Sequence, residues 1–228
     1  MSAAATQVVA KFQKRIDDGV RHHNALLHAV HDHKKQAALE SLLAEQFAFT
    51  TAVLWEVFLS NLIKAYVADD PNAFLADLET RLLDSVKTRF GGAAAKHTKL
   101  SPPATIAPSK VAEWIDPKEW NISVTSAAKL SAKANQLLPA TAAKKFTLAA
   151  DDAALFDFTV SLRNFLAHRS DGSRREFKSA VAALEGPNAD LNGPAAKIDV
   201  YLKAPVAAGN TRVAAIALRL RALATTFV

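Results

Sequence analysis

The sequence predicts an all-α protein, and three features carry that expectation. Only seven glycines and nine prolines occur in 228 residues. Alanine, the strongest helix former, is abundant. Apolar residues recur three and four positions apart over several long segments, which is the period of a helix face and not the alternation of a strand. Half the residues are hydrophobic and 22% are charged, a balance ordinary for a globular chain long enough to bury one large core. No repeat, low-complexity tract or linker divides the sequence. The expectation is one domain over residues 1–228, with its core between about 37 and 225 and one long internal loop.

The first helix is expected over 6–35, where Val9, Phe12, Ile16, Val20, Leu27 and Val30 stay near one face. Residues 37–67, AALESLLAEQFAFTTAVLWEVFLSNLIKAYV, form the most apolar long segment, which marks a central helix contacted on several sides. ADDPN stops it, because proline disfavours helix at the residue before it. A third helix over about 72–90 is amphipathic through Phe74, Leu75, Leu78, Leu82 and Val86, and FGG ends it. Residues 91–108 have the Gly, Pro, Ser and Thr content of a loop. Trp114 and Trp120, around IDPKEW, read as short turns before a helix near 124–138 that LLPAT interrupts. The helix over 151–168 opens on Asp151 or Asp152 as cap and buries Leu155, Phe158, Leu162, Phe165 and Leu166. SDG breaks it, and Ser173 with Glu176 forms a capping box for a helix over about 174–184. Residues 195–204 fit helix or strand. Asn210 caps a last helix to about 225, which carries Arg212 and Arg219 seven apart on one face.

Several kinds of chemistry are excluded. Without cysteine there is no disulfide framework, cysteine zinc site or thiol catalysis. The chain has no glycine-rich phosphate loop, no H-E-x-x-H and no G-x-S-x-G. MSAAATQVVAKFQKRIDD lacks the basic-then-apolar order of a secretory leader, and no apolar run approaches the ~18 residues of a membrane span. The expected location is cytoplasmic, with no membrane partner. A net charge of +6 and a pI of about 9.5 suit polyanionic partners, RNA and DNA included. RHHNALLHAVHDHKK holds His22, His23, His28, His31, Asp32 and His33. His28, His31 and Asp32 share one side of a helix and form the beginning of a metal site. Nothing in the sequence supplies the remaining ligands, so a solvated polar face is the simpler reading, and no metal or other cofactor is expected.

The segment SLRNFLAHRSDGSRREF, residues 161–177, concentrates the chemistry. Arg163 and His168 lie five apart and diverge by ~140° on an ideal helix, whereas Asn164 and His168 share a face. The pair converges only if the helix loosens near His168 or if a second copy supplies the partner. One reading makes Arg163 a surface residue and His168 a residue favoured by the helix dipole. The other is chemical: histidine takes and gives protons near neutral pH, and arginine offers a permanent charge on a planar donor fork that suits phosphoryl oxygens.

RNFLAH resembles the R-x4-6-H signature of the HEPN superfamily, in the form with a polar residue after the arginine. LWEVFLSNLIKAY, with Trp55, Glu56 and Phe58, is similar to the W-E-x-F/Y helix of the RiboL-PSP-HEPN group and its MAE-type relatives. The resemblance spans roughly residues 40–225. It implies a HEPN-like helical bundle with extra helices. It also implies a homodimeric, metal-independent endoribonuclease in which two motifs meet across the interface. Attack by the RNA's own 2′-OH would leave 2′,3′-cyclic phosphate and 5′-OH ends. In that reading Arg163 stabilises charge, His168 is the acid or base, and Asn164 is auxiliary. Glu56 either orients Arg163 or is a helix-surface carboxylate. Arg169, Arg174 and Arg175 either grip flanking phosphates or form a solvated basic turn; Lys144 and Lys145 are further basic candidates. A toxin or antiviral effector role, with an antitoxin or regulatory protein as partner, fits such an enzyme. The alternatives are a non-catalytic HEPN module that binds RNA or a protein, and a helical adaptor in which the motif is coincidence.

Overall fold

The computed structural model describes residues 2–99, 108–115, 121–206 and 209–228. Its order is set by two long helices. The first, α1 (Ala3–Ala29), starts where Ser2 Oγ accepts the Ala5 N–H at 3.3 Å. Ala5, Val9, Phe12, Ile16 and His23 make its buried stripe. A turn over 30–35 separates it from α2 (Gln36–Asp69), so the single helix expected to 35 ends six residues early. Gly19 lets the two helices come close: a Cβ there would lie 3.1 Å from the Phe47 ring.

The apolar side chains of α2 point to several sides, and each side finds a cover. α1 covers one; α8 (Ala150–His168), α10 (Ile198–Lys203) and α11 (Arg212–Leu223) cover others. Trp55 is 1% exposed and sits 5.5 Å from Phe12, 5.2 Å from Phe58, 6.2 Å from Phe156 and 6.1 Å from Phe227, ring centre to ring centre. Phe227 belongs to the 3-10 turn Ala224–Phe227 that continues α11 and is fully buried. The Tyr66 hydroxyl donates to the Phe227 carbonyl and fastens that turn to α2. By length and composition alone α2 also satisfies the requirement for a membrane span, which corrects the sequence expectation. Its few charged residues are spaced widely enough to leave an apolar window between them. Trp55, Phe58, Leu59, Leu62, Ile63 and Val67 of α2 are buried against protein, and 39% of that apolar window is buried.

The remaining elements differ more from expectation. α3 (Asn72–Phe90) has the expected bounds, but of its apolar stripe only Phe74 is buried, with Leu75 and Leu78 packed against the core and Leu82 exposed. Part of the segment read as a loop is helical, in α4 (Gly92–His97). Residues 100–107 of it, and Trp120, lie outside the described residues. Trp114 stands in α5 (Pro108–Ile115), not in a turn. α6 (Ala127–Leu137) is capped by Ser126, whose Oγ accepts the Lys129 N–H at 3.2 Å. α7 (Ala140–Ala143) runs into the 3-10 turn Lys144–Phe146. α8 begins after Ala149, which has no side-chain cap; Asp151 and Asp152 lie in its first turn, where they oppose the positive end of the dipole. Then comes α9 (Asp171–Ala182). The ambiguous 195–204 stretch resolves as the short helix α10. There is no strand among the described residues, only an isolated bridge between Pro205 and Thr211.

Polar groups staple the C-terminal third. Arg212 is 6% exposed and lies 4.4 Å over the Tyr201 ring. It donates to the carbonyls of Tyr201 (2.7 Å) and Asn192 (3.3 Å). A Cβ at Gly193 would come within 2.8 Å of Arg212 Nη2, so glycine leaves room for the guanidinium. Seven residues on, Arg219 pairs with Asp190 and donates to Asn188 Oδ1 at 3.3 Å. The two arginines thus bind α11 to the 3-10 turn Gly186–Leu191 and the residue after it. The Tyr201 hydroxyl donates to the Leu191 carbonyl at 2.7 Å, and burial raises its pKa. α11 starts at Thr211, not Asn210, and the Thr211 hydroxyl makes no cap bond.

Two outcomes test this packing. Phe227→Ala should cost about 3–5 kcal/mol, read by urea denaturation, because it empties a buried site shared by α2 and α11. His23 is 4% exposed and stacks on Phe47 at 4.7 Å. Burial lowers its pKa below the ordinary 6.5, so the folded state binds fewer protons than the unfolded one. Its contribution is complete above that value and is lost as pH falls through the folded pKa. The urea midpoint of His23→Leu should therefore fall less than that of the native chain between about pH 7.5 and pH 5.

Candidate functional site

The candidate site is the end of α8 and the turn into α9. α8 stays α-helical through His168. Arg169 ends it in the left-handed conformation, φ 52° and ψ 19°, and donates its N–H to the Phe165 carbonyl at 2.9 Å. A residue with a Cβ held there costs roughly 1 kcal/mol. The break between the helices is therefore short, and SDG does not make it. Ser170 is the N-cap of α9, with Asp171 and Gly172 in its first turn. Ser170 Oγ accepts the Ser173 N–H at 3.2 Å, and Ser173 Oγ donates to the Ser170 carbonyl at 3.0 Å. The expected Ser173–Glu176 box is replaced by this Ser170–Ser173 pair, one turn earlier.

Because the helix does not loosen, Arg163 and His168 keep the ~140° divergence of an ideal helix. The His168 side chain is exposed, and its imidazole makes no hydrogen bond among the described residues. Arg163 and Glu56 are each one-third exposed, with Arg163 Nε 3.4 Å from Glu56 Oε1. That contact is an ion pair without hydrogen-bond alignment, and Nε has no hydrogen-bond partner. Arg163 Nη1 donates to Asn164 Oδ1 at 3.3 Å. Of the two readings of Glu56, the structure has the carboxylate beside Arg163. Trp55 and Phe58 on either side of it point into the core, so the W-E-x-F pattern is two core residues around one seam carboxylate.

The arginines after the motif are not equivalent. Arg169 pairs with Glu45 on α2. The guanidinium carbons of Arg169 and Arg174 lie 5.6 and 5.7 Å from the Phe165 ring centre, within cation–π range. Phe165 in turn stacks on Phe177 of α9 at 5.5 Å. Arg175 is exposed and has no partner among the described residues. Glu45 is the residue that sequence reasoning missed. It lies eleven positions before Glu56, three helical turns with a ~20° offset, so the two share a face of α2. That spacing was visible; which helix faced it was not. Lys145 is far from this role: its Nζ donates to the Tyr66 hydroxyl at 3.2 Å.

No group of three or more His, Asp or Glu is placed to hold a metal ion among the described residues. Of the N-terminal histidines, His23 is buried in the α1–α2 interface and His28 and His31 are exposed. No protein-family model, no curated protein and no solved structure matches the chain.

The helix junction itself can be tested. Ser170→Ala removes the acceptor for the Ser173 N–H and should lower stability by about 1 kcal/mol, seen as a lower urea midpoint at unchanged slope.

Proposed function

We propose that the protein is a metal-independent endoribonuclease whose active site forms when the α8 ends of two copies meet. The observation that carries this reading is the continuity of α8 through His168. It leaves an exposed imidazole at the helix end and a partly exposed guanidinium on another face, two groups that one chain does not bring together. A two-fold mate would supply the missing half of each pair, as the likeness of RNFLAH and LWEVF to the HEPN motifs implies. His168 removes the proton of the 2′-OH, and the oxygen attacks the adjacent phosphorus. Arg163 of the partner subunit neutralises the charge that builds on the phosphoryl oxygens. The resulting His168 imidazolium returns the proton to the departing 5′-oxygen, giving 2′,3′-cyclic phosphate and 5′-OH ends. Glu56 and Asn164 hold the Arg163 plane, and Arg169, Arg174 and Arg175 line the approach for flanking phosphates. Such an enzyme fits a toxin or antiviral effector acting in the cytoplasm, held in check by an antitoxin or regulatory protein.

One observation favours the non-catalytic alternative. Glu56 and Glu45 already sit beside Arg163 and Arg169, and so blunt two of the cations. Incubation with RNA in excess EDTA separates the readings. The nuclease should keep cleaving in chelator, and Arg163→Ala and His168→Ala should each slow it by about 10²-fold or more. Mixing the two inactive variants should restore roughly a quarter of the native rate after random subunit exchange, because half the dimers then carry one intact site. RNA binding without cleavage, insensitive to His168→Ala, would make the chain a binding module. A native dimer that neither cleaves nor binds RNA would sink both.

A further inference from the structure

We infer that the cavity between α1, α2 and the start of α11 binds a small amphiphilic monoanion, a carboxylate on an apolar body. The inference is independent of the α8 site. The cavity holds about 490 Å³, within the size range of small-molecule sites. Leu27 and Ala44 line it together with Val213, and give it apolar walls from three helices.

Most of the polar groups around it are donors, with Glu40 the carboxylate in its lining. Lys203 Nζ donates to Ser41 Oγ at 2.8 Å and to the Ala37 carbonyl at 3.3 Å. An ammonium has three donors, so one remains. Thr211 occupies the N-cap of α11, yet its Oγ1 is buried with no partner. The first turn of that helix therefore keeps donors that a cap would have satisfied. His23 is 96% buried, lines the same cavity, and its Nε2 also lacks a partner. Lysine, hydroxyl and neutral imidazole can all donate to a carboxylate, which only accepts. The positive end of the α11 dipole adds to that preference. A cationic head would face Lys203 and the positive end of the α11 dipole, with Glu40 the one carboxylate in the lining to offset them.

Glu40 limits the charge of the guest. It lines the cavity, and its Oε1 is held by Gln36 Nε2 at 2.8 Å. One carboxylate here tolerates a single negative charge opposite Lys203 and repels a polyphosphate. His28 and His31 stand exposed at the mouth. The apolar walls then favour a hydrocarbon or aryl body over a sugar.

Isothermal titration calorimetry on the full chain at neutral pH, with octanoate, octylamine and octanol as probes, tests this. Octanoate should bind at one site at least about tenfold tighter than either of the others. Lys203→Met and Thr211→Val should each weaken it by about tenfold or more. Both positions are at most partly buried and neither closes the core, so circular dichroism should show both variants folded. His23→Leu should weaken octanoate as well. The inference is overturned by no saturable octanoate binding, by equal affinity for octylamine or octanol, or by an affinity unchanged in both Lys203→Met and Thr211→Val.

Discussion

The architecture follows from the need to cover α2. A helix of 34 residues is about 50 Å long, and this one carries apolar side chains around much of its circumference. Water would meet a large hydrophobic surface on any side left bare. One neighbour is not enough, so α1, α8, α10 and α11 are drawn to it from separate parts of the chain. Trp55 is where those covers meet, with rings from α1, α8 and the C-terminal turn around it. Close approach requires small residues at the right places. Gly19 opposite Phe47 is one of them.

This packing decides what the chemistry-bearing helix can present. α8 spends Leu155, Phe156, Phe158, Leu162 and Phe165 on the core, which fixes its rotation about its own axis. With that rotation set, Arg163 falls at the α2 seam beside Glu56, and His168 falls outside it. The same rotation brings Arg169 to Glu45. The pairings of Glu56 with Arg163 and Glu45 with Arg169 show that α2 and α8 run antiparallel there. Half-exposed ion pairs of this kind add little stability. Their effect is to orient side chains.

The C-terminal third works differently, by burying donors on carbonyls. Arg212 is enclosed by an aromatic face and two backbone oxygens, which offset part of the cost of burying its charge, although its Nε makes no hydrogen bond. Thr211 Oγ1, immediately before it, and His23 Nε2 across the interface also make no hydrogen bond. Both border the same cavity.

Much of this could be read from the sequence. Local periodicity and breakers mark the long helices, because helix faces are written three and four residues apart; α3 and α8 end where expected, and Phe158 and Phe165 were legible as core. Errors gathered where one residue's conformation decides a boundary. Arg169 in the left-handed region, Ser170 as cap and the uncapped Thr211 have no distinctive local signature, because other residue types serve there equally well. The role of α2 as hub was visible in its composition, but not which helices would cover it. By itself the sequence determined the long helices, most of their apolar faces and the five-residue spacing of Arg163 and His168. Only the tertiary structure decided that Glu56 and Glu45 face α8, that Arg212 staples α11, and that His23, Lys203 and Thr211 share a cavity. Those residues are separated by tens to hundreds of positions, and only long-range packing, which no local pattern encodes, brings them together.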